Sequence, residues 1–233
     1  MNLTTRIRLH WFDLRHGLPT AIRVLQRHLG LLSTIRVLLS FVWGSISSNP
    51  YAGIAANPRN PDAPLGPREH FTRHQLRPVL ILDRALRNSL KMSQESALTL
   101  LTEVVAESGS RFIATQLKHP TEAQWKTMTT RERRGFTETI LARFQNAEAE
   151  IITAPEHDVA FDVSFCHFVG LTHRLGRPDL APLFCGADQH YYESSDNNIT
   201  LVRQETLAQG DARCAFRFAF GDTTVQGADE FNR

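Results

Sequence analysis

Apolar side chains recur along this chain at two spacings, and the spacing changes about two thirds of the way along it. In the earlier part, apolar residues fall three or four positions apart, which places them on one face of a helix. One such stripe consists of Val79, Leu82, Leu86 and Leu90. Later, apolar residues alternate with polar or small ones, as in a half-buried strand. The clearest alternating run has Val159, Phe161, Val163 and Phe165. The order of helices first and strands afterwards predicts an α+β fold.

The alternating part of the chain predicts a roughly four-stranded antiparallel sheet with two inserted helices. The expected strands are 148–153, 158–165, 199–207 and 214–220, and the expected inserted helices are 166–175 and 178–192. Residues 154–157 and 194–198 have the composition of turns. Capping residues support the helices that precede the sheet. Ser93 is expected to cap one helix, and Thr121 and Thr129 each precede a Gln or Glu by three positions, the spacing of a capping box.

The N-terminal part of the chain differs in composition from the rest. We expect a helical extension over residues 1–48, a Pro-rich linker over 49–67 and the main α+β domain over 68–233. Residues 20–44 are basic and apolar, which favours peripheral contact with an anionic membrane, or packing against the rest of the protein or a second subunit of a homo-oligomer. The most apolar run contains Arg36 and is shorter than the roughly 20 residues that a transmembrane helix needs, so no such helix is expected.

Charge and cysteine content narrow the choice of partner and compartment. The net charge is +2, but residues 1–91 hold 13 Arg and Lys against 4 Asp and Glu, whereas residues 92–233 hold 13 against 20. This asymmetry favours a basic front half that faces something acidic, or a cationic surface without a dedicated partner. The arginines form no recognisable nucleic-acid motif, so no nucleic-acid partner is expected. Three cysteines cannot all pair and no signal-peptide pattern is visible, which predicts a cytoplasmic protein, with or without peripheral attachment to a membrane.

All three cysteines lie within residues 158–220, and the position of the first suggests chemistry. Cys166 falls where the strand-like alternation gives way to the helical spacing of Phe168, Leu171 and Leu175. A thiol at that position lies near a helix N-terminus, whose N–H groups and dipole favour the thiolate. The alternative for each cysteine is the commoner role of a small apolar side chain in the core.

Three motifs follow one another in this part of the chain. They are F-D-V-x-x-C from Phe161, L-G-x-P-x-L-x-x-L-F-C-x-x-D from Leu175, and L-x-R-x-x-T-L-A-x-G-D-x-x-C-x-F-R from Leu201. Together they resemble the L-2-amino-thiazoline-4-carboxylic acid hydrolase family. The chain departs from the expected pattern at Ala215, where we expect family members to carry an acidic residue after the last cysteine, so no carboxylate is expected to act there.

The resemblance implies a hydrolase that opens a cyclic C–N bond in a small amidine-like substrate, such as 2-amino-thiazoline carboxylate. Such a reaction needs a nucleophile or an activated water, a proton donor for the departing nitrogen and a cation for the substrate carboxylate. Cys166 is the candidate nucleophile, and Asp188 is the candidate group that orients water or transfers a proton. The candidate substrate-binding residues are Cys185, Arg203, Thr206, Cys214 and Arg217. We expect no cofactor and no metal.

Two other interpretations stay open. The order of helices and strands is also similar to that of ligand-binding domains of the 4-vinyl reductase type, which implies a module that holds an apolar small molecule without catalysis. Alternatively, Cys166, Cys185, Cys214, His167 and His190 could converge as metal ligands, although the sequence contains no C-x-x-C or H-E-x-x-H spacing. His70 and His74 would share a helix face, but no third ligand is evident from the sequence.

Overall fold

The computed structural model of the protein describes residues 3–55, 65–117, 119–152, 158–194 and 199–220, and side chains from residue 7 onward. The expected turn at 154–157 lies wholly outside these ranges, and the expected turn at 194–198 lies outside them except for its first residue. The central part of the expected linker, residues 56–64, and the tail from Gly221 lie outside them as well.

Helices make up the first part of the described chain. They are α1 (Leu3–Phe12), a π-helical turn (Asp13–Gly17), α2 (Leu18–Ser47), α3 (Pro67–Leu90), α4 (Gln94–Gln116), α5 (Glu122–Thr127) and α6 (Thr130–Leu141). The expected caps are present. The Ser93 side chain accepts a hydrogen bond from the Ser96 N–H, and both capping boxes, at Thr121 and Thr129, are complete. These contacts satisfy N–H groups that the first turn of a helix leaves without a partner, so local sequence suffices to fix where these helices begin.

Helix α2 packs against α3 and α4. Gly30, with φ of 72° and ψ of 173°, interrupts its helical backbone, a conformation that a side chain at this position would strain. Arg27 of α2 forms ion pairs with Glu103 and Glu107 of α4, at 2.7 and 2.6 Å. Farther along, Arg77 of α3 donates to the carbonyl of Ser45, at 2.8 Å. The interior face of α2 therefore belongs to the same packed layer as α3 and α4, and the expected division of the chain into extension, linker and domain stays a prediction.

The later part forms one antiparallel sheet, which confirms the α+β prediction. Its strands are β1 (Ala147–Ile151), β2 (Val159–Cys166), β3 (Ile199–Val202) and β4 (Cys214–Phe220), in the spatial order β1-β2-β4-β3. Phe161 is opposite Phe216 in the central pair, and Val163 is opposite Cys214. Strands β1 and β2 pair antiparallel, as the predicted sheet requires.

Strand β3 is shorter than the expected 199–207, because the chain finds another hydrogen-bonding arrangement after Val202. The Thr206 N–H donates to the side chain of Asp211 at 2.7 Å, and a short 3-10 helix follows at Leu207–Gln209. An Asp side chain that accepts a backbone N–H competes with the hydrogen bonds of a strand.

Two helical segments lie between β2 and β3, as predicted. Helix α7 (His167–Arg174) follows β2 directly, and a 3-10 turn (Pro178–Leu180) leads into α8 (Ala181–Ser194). Pro178 occupies the first turn, where its fixed φ is compatible with a helix and its missing N–H is not needed.

Two groups of buried apolar side chains hold these layers together. The helical core includes Val24, Leu25, Val37, Leu76, Leu80, Leu86, Leu101, Val104, Phe168, Leu171, Leu180 and Leu183. The sheet core includes Trp125, Ile140, Phe161, Val163, Tyr192, Ile199, Leu201, Cys214, Phe216 and Phe218. Helices α4 and α8 lie between these two cores, and a cavity is formed where the cores meet.

Candidate functional site: a cavity lined by three thiols

A cavity of about 170 Å3 lies between the face of the sheet that carries the sheet core, the C-terminal half of α4, and α8. This volume is many times the roughly 10–15 Å3 that one water molecule needs. Phe168 and Phe184 contribute to its wall from the helical core, and Phe216 and Phe218 contribute from the sheet core. The dimensions and the mostly apolar wall are those of a site for a small organic molecule.

Five of the seven candidate site residues line this cavity. They are Cys166, Cys185, Asp188, Arg203 and Cys214. Three separate elements supply the thiols: Cys166 ends β2 and precedes α7, Cys185 lies on α8, and Cys214 begins β4. Cys214 is opposite Val163 in the sheet, a position that brings it near Cys166 at the end of the neighbouring strand. None of the three cysteines forms a disulfide in the described chain.

The other two candidates, Arg217 and Thr206, do not reach the cavity wall. Arg217 donates to Asp162 at 2.8 Å, on the face of the sheet opposite to Phe216 and Phe218. Successive side chains of a strand point to opposite faces, so its position between two inward phenylalanines indicates this outcome. The Thr206 hydroxyl bonds to the Gln209 side chain at 3.1 Å, within the loop that follows β3. Both contacts are structural.

Arg203 and Asp188 form an ion pair in the cavity wall, with 2.9 Å between Nη1 and Oδ2. The Arg203 guanidinium also donates to the carbonyl of Cys185 at 2.7 Å and lies over the ring of Phe216, 4.8 Å from its centroid. Only 5% of the Arg203 side chain is exposed. Contacts with Asp188 and Cys185 of α8 and with Phe216 of β4 hold this guanidinium in place. It in turn fixes the position of the Asp188 carboxylate.

Burial changes the acid–base properties of the cavity groups. Burial raises the pKa of Asp188, and the adjacent Arg203 acts in the opposite direction. A carboxyl group whose pKa is raised becomes a better proton acceptor and a more available proton donor near neutral pH.

Burial likewise raises the pKa of each cavity thiol. For Cys166, the N–H groups of Val169 and Phe168 in the first turn of α7 act in the opposite direction, which is the helix-start effect expected from the sequence. The burial effect is larger, so the resting thiol is less acidic than the sequence led us to expect. Burial raises the pKa of Cys185 to about 12, and Arg203 offsets only part of that change. Burial also raises the pKa of Cys214, whose sulfur accepts the Leu207 N–H at 3.2 Å.

Among the described residues, the histidines considered as metal ligands do not form a ligand group with the thiols. Neither His167 nor His190 lines the cavity, and His167 contacts Glu69 instead, with 3.5 Å between Nδ1 and Oε2. Within the described residues, a group of three side chains with metal-ligand geometry occurs at His10, Asp13 and His74, far along the chain from the cysteines. In the described part of the chain, Cys166, Cys185 and Cys214 therefore do not form the metal site considered above with His167 and His190.

A buried carboxylate fixes the start of α7, next to Cys166. Glu69 of α3 accepts hydrogen bonds from Arg73 and Arg174, at 3.0 and 2.9 Å, in addition to its contact with His167. Burial acts to raise the pKa of Glu69, but the bonds from His167, Arg73 and Arg174 outweigh it and lower the pKa to about 2. The network ties α3 to both ends of α7 and so holds the backbone that carries Cys166.

Several polar cavity residues carry no recognisable signal in the sequence. Gln75 of α3, Gln116 of α4, Arg143 and Asn146 all line the cavity. Arg143 follows α6, is exposed, and has no ion-pair partner among the described residues. They come from segments without a chemical motif, and only the packing of α3, α4 and α6 around the sheet brings them together.

Comparison with known proteins agrees with the motifs. The family model for L-2-amino-thiazoline-4-carboxylic acid hydrolase matches residues 77–218. This interval begins within α3, ends within β4, and contains every cavity-lining residue apart from Phe71 and Gln75. Searches of curated proteins and of solved structures gave no match. Because the model covers more than half of the chain, this protein belongs to the L-2-amino-thiazoline-4-carboxylic acid hydrolase family.

Proposed function

We propose that the protein hydrolyses a cyclic C–N bond in a small amidine-like substrate, 2-amino-thiazoline carboxylate or a close relative, with Cys166 as the nucleophile. One observation carries the proposal: Cys166 and Asp188, which belong to two different motifs and lie 22 positions apart in the chain, line the same cavity. Membership of the family supports the reaction class, and the cavity supplies a nucleophile and a proton-transfer group at one place.

Cys166 is preferred to the other two thiols because of its place at the start of α7. Nearby N–H groups of the first helical turn stabilise the thiolate of Cys166 against the effect of burial. Cys185 lacks such donors and has a pKa of about 12, and the sulfur of Cys214 is already engaged by a backbone N–H. In this proposal the reactive thiolate forms only when the site is filled. The substrate displaces water from around Cys166 while a base takes the proton of the thiol.

Asp188 is the residue proposed to move the proton. As the Cys166 sulfur bonds to the amidine carbon, the thiol proton passes to Asp188. The amidine enters with a proton on its ring nitrogen. The ring C–N bond then breaks as Asp188 gives the thiol proton to this nitrogen, which departs as an amine that carries both protons. Water then adds to the carbon of the sulfur adduct and the bond between this carbon and the Cys166 sulfur breaks, with one water proton passing to the sulfur, which restores the thiol and releases the product. The raised pKa of Asp188 favours both directions of transfer near neutral pH.

Arg143 is the cation that we assign to the substrate carboxylate. Arg203 is held by Asp188, by a carbonyl and by an aromatic ring, and Arg217 lies on the other face of the sheet. Arg143 is exposed at the cavity wall, near Asn146, and has no ion-pair partner within the described residues. A planar guanidinium in that position can bind a carboxylate through two hydrogen bonds.

The test measures turnover of 2-amino-thiazoline carboxylate by the full chain and by three variants. Cys166→Ala is expected to lower kcat by about a hundredfold or more, and Asp188→Asn by about 10²–10⁴-fold, the usual contribution of a proton-transfer group. Cys185→Ala is the matched control, because it removes a thiol from the same cavity and should keep turnover within about tenfold. If Cys166→Ala and Asp188→Asn both turn over normally, the assignment of these residues is wrong even though the family membership stands.

The wall of the cavity favours a second candidate function, the binding of an apolar molecule without catalysis. Phe71, Phe112, Phe144, Phe168, Phe184, Phe216 and Phe218 all line it. No histidine lines it in the described part of the chain. A binding module of this kind should copurify with an aromatic or aliphatic ligand, which mass spectrometry of the denatured protein would detect. Its affinity for that ligand should not change in Cys166→Ala or Asp188→Asn, whereas turnover that depends on both residues would exclude this candidate.

A further inference from the structure

Large apolar side chains that are exposed to solvent are concentrated in the N-terminal helices. Twelve such side chains occur among the described residues, and eleven of them lie between Ile7 and Ile46, with Phe165 the exception. Scattered exposed apolar residues are normal on a protein surface, but a contiguous apolar patch usually marks a place where a partner or a membrane binds.

The second half of α2 presents these side chains as one stripe. Seven residues at helical spacing are 45–82% exposed: Leu31, Leu32, Ile35, Leu39, Val42, Trp43 and Ile46. We call this set the outer stripe. The opposite side of the same helix segment is buried, with Thr34 and Val37 against the protein and Gly44 close to Ile81 of α3. The helix therefore has one apolar face that is covered by the protein and a second that is not covered by any described residue.

The charged residues of the sequence segment that carries the outer stripe have one sign. Between Asp13 and Asp62 the sequence contains five arginines and no Asp or Glu. Arg36 lies beside the stripe and Arg15 precedes α2, and both are exposed and have no ion-pair partner among the described residues. Arg27 is neutralised by Glu103 and Glu107 of α4, so it does not count toward this surface. The segment thus combines a continuous apolar stripe with unpaired cations, which is the composition of a helix that lies in the headgroup region of an anionic bilayer.

We propose that α2 docks this protein on an anionic lipid surface, with the outer stripe inserted among the acyl chains near the headgroups and Arg15 and Arg36 against lipid phosphates. The helical stretch Ile7–Ser47, which joins part of α1, the π-helical turn and α2, is long and apolar enough to cross a bilayer by length and composition. However, the inner face of α2 is packed on α3 and α4, and a spanning orientation would expose that face to lipid and separate Arg27 from its two glutamates. In this proposal the second half of α2 lies parallel to the membrane plane, and no residue of α2 lines the cavity. A second copy of this chain is the other occupant that the stripe would accommodate, but two identical surfaces with unpaired arginines and no acidic residue would repel each other.

The experiment is flotation of the full chain with phosphatidylcholine vesicles that contain or lack phosphatidylglycerol. We expect the protein to float with the anionic vesicles, to float much less with the neutral ones, and to be released as salt is raised. An alkaline carbonate wash should release it as well, because a peripheral helix does not span the bilayer.

One triple variant and one pair of single variants make the test specific. Leu32→Gln combined with Leu39→Gln and Ile46→Gln should lower the partition coefficient about a hundredfold or more, because three side chains no longer leave water. Arg36→Gln should lower it about fivefold, the effect of one cation near an anionic surface, whereas Arg84→Gln, an exposed arginine of α3, should leave it unchanged. All the substituted residues are exposed, so circular dichroism and the thermal midpoint of each variant should match those of the wild type.

Three results would overturn the proposal. If the wild type stays with the soluble fraction in the presence of anionic vesicles, the stripe does not bind lipid. If light scattering shows a dimer that the triple Gln variant dissociates, a second copy of the chain covers the stripe. If the protein resists the carbonate wash, α2 spans the bilayer and does not lie on it.

Discussion

Asp188 shows how the surroundings of a single residue decide its chemistry. Burial raises its pKa while Arg203 acts to lower it, and the same arginine holds the carboxylate in one position. Burial also raises the pKa of the nearby thiols. For Cys185 the effect of Arg203 offsets only part of this change, and the pKa is about 12. Burial thus keeps the cavity thiols protonated at neutral pH, and the mechanism proposed above forms the Cys166 thiolate only when substrate is bound.

A first prediction at the residue scale concerns Arg143. If it binds the substrate carboxylate, Arg143→Gln should raise KM for 2-amino-thiazoline carboxylate about tenfold or more with a smaller change in kcat, because one charged hydrogen-bonding partner is worth about 1.5–3 kcal/mol. Steady-state kinetics over a range of substrate concentrations would measure both constants. Arg134→Gln is the control, since Arg134 is exposed on α6 and pairs with Glu138. Equal KM values for the two variants would remove Arg143 from the site.

A second prediction concerns His119, whose imidazole is packed among Phe136, Tyr191 and Tyr192. Burial lowers its pKa from 6.5 to about 4. Above pH 6.5 both the folded and the unfolded states carry neutral imidazole, so His119 adds no pH dependence there. As pH falls from 6.5 toward 4, the unfolded state binds the proton first, and the free energy of unfolding decreases.

Urea unfolding at about pH 7.5 and about pH 5 would measure this loss. His119→Phe should remove part of the difference between the two pH values, because the variant has no imidazole to protonate at that position. His173→Phe, which replaces an exposed histidine of α7, controls for the loss of a histidine as such. Identical pH dependence in the wild type and in His119→Phe would mean that His119 is solvated in the folded protein.

At the scale of elements, the contact between α4 and α8 forms one wall of the cavity. Helix α4 contributes Phe112, Ile113 and Gln116, and α8 contributes Cys185 and Asp188. The two helices approach closely at Gly109 and Ala187, where a Cβ added to Gly109 would lie 2.5 Å from the Cβ of Ala187. Glycine is therefore needed at position 109 for the close approach of two backbones, and that approach sets the width of the site.

The corresponding prediction is that Gly109→Ala separates the two helices. We expect the free energy of unfolding to fall by about 1–3 kcal/mol, as for other overpacked positions, and the binding of any cavity ligand to weaken. Gly135→Ala is the matched control at an exposed position of α6, where an added Cβ meets nothing within 4 Å. There the gain in helix propensity should raise the free energy of unfolding by about 0.5–1 kcal/mol. Urea denaturation of both variants would show opposite signs, and a stabilising effect of Gly109→Ala would contradict the packing described.

At the scale of the whole molecule, the N-terminal helices contribute to the same core as the part of the chain matched by the family model. Val24, Leu25 and Val37 of α2 have no exposed surface and belong to the helical core. The outer stripe on the same helix is exposed, so α2 is both a core element and the surface proposed to bind lipid. This arrangement would hold the cavity at a fixed distance from the membrane.

Two substitutions in α2 test its place in the core. Leu25→Ala removes a side chain with 0% exposure and should lower the free energy of unfolding by about 2–5 kcal/mol. Leu32→Ala removes one that is 82% exposed and should change it by less than about 0.5 kcal/mol. Thermal or urea unfolding followed by circular dichroism would measure both. Equal effects would mean that α2 does not pack into the core of the domain in solution.

Local features of the sequence account for much of the fold and for part of the candidate site. The caps at Ser93, Thr121 and Thr129 are contacts between residues three positions apart, and the alternation around Phe161 needs only the two-residue period of a strand. The motifs likewise select Cys166 and Asp188 from the order of residues alone. The two-residue period of β4 also places Arg217 on the face opposite Cys214, so the exclusion of Arg217 from the cavity follows from a local pattern as well.

The sequence by itself determined the family, the order of helices and strands, and which thiols and carboxylate are candidates for the chemistry, because these follow from short-range spacing and from motif residues. Only the tertiary structure decided that Cys166, Cys185 and Cys214 share a cavity, that Arg203 is held by Asp188, and that Arg143 reaches the same wall. Those contacts join residues far apart in the chain and depend on how α4 and α8 pack against the sheet. The burial that raises the pKa of the thiols, and the exposure of the outer stripe, are likewise properties of that packing and not of any local pattern.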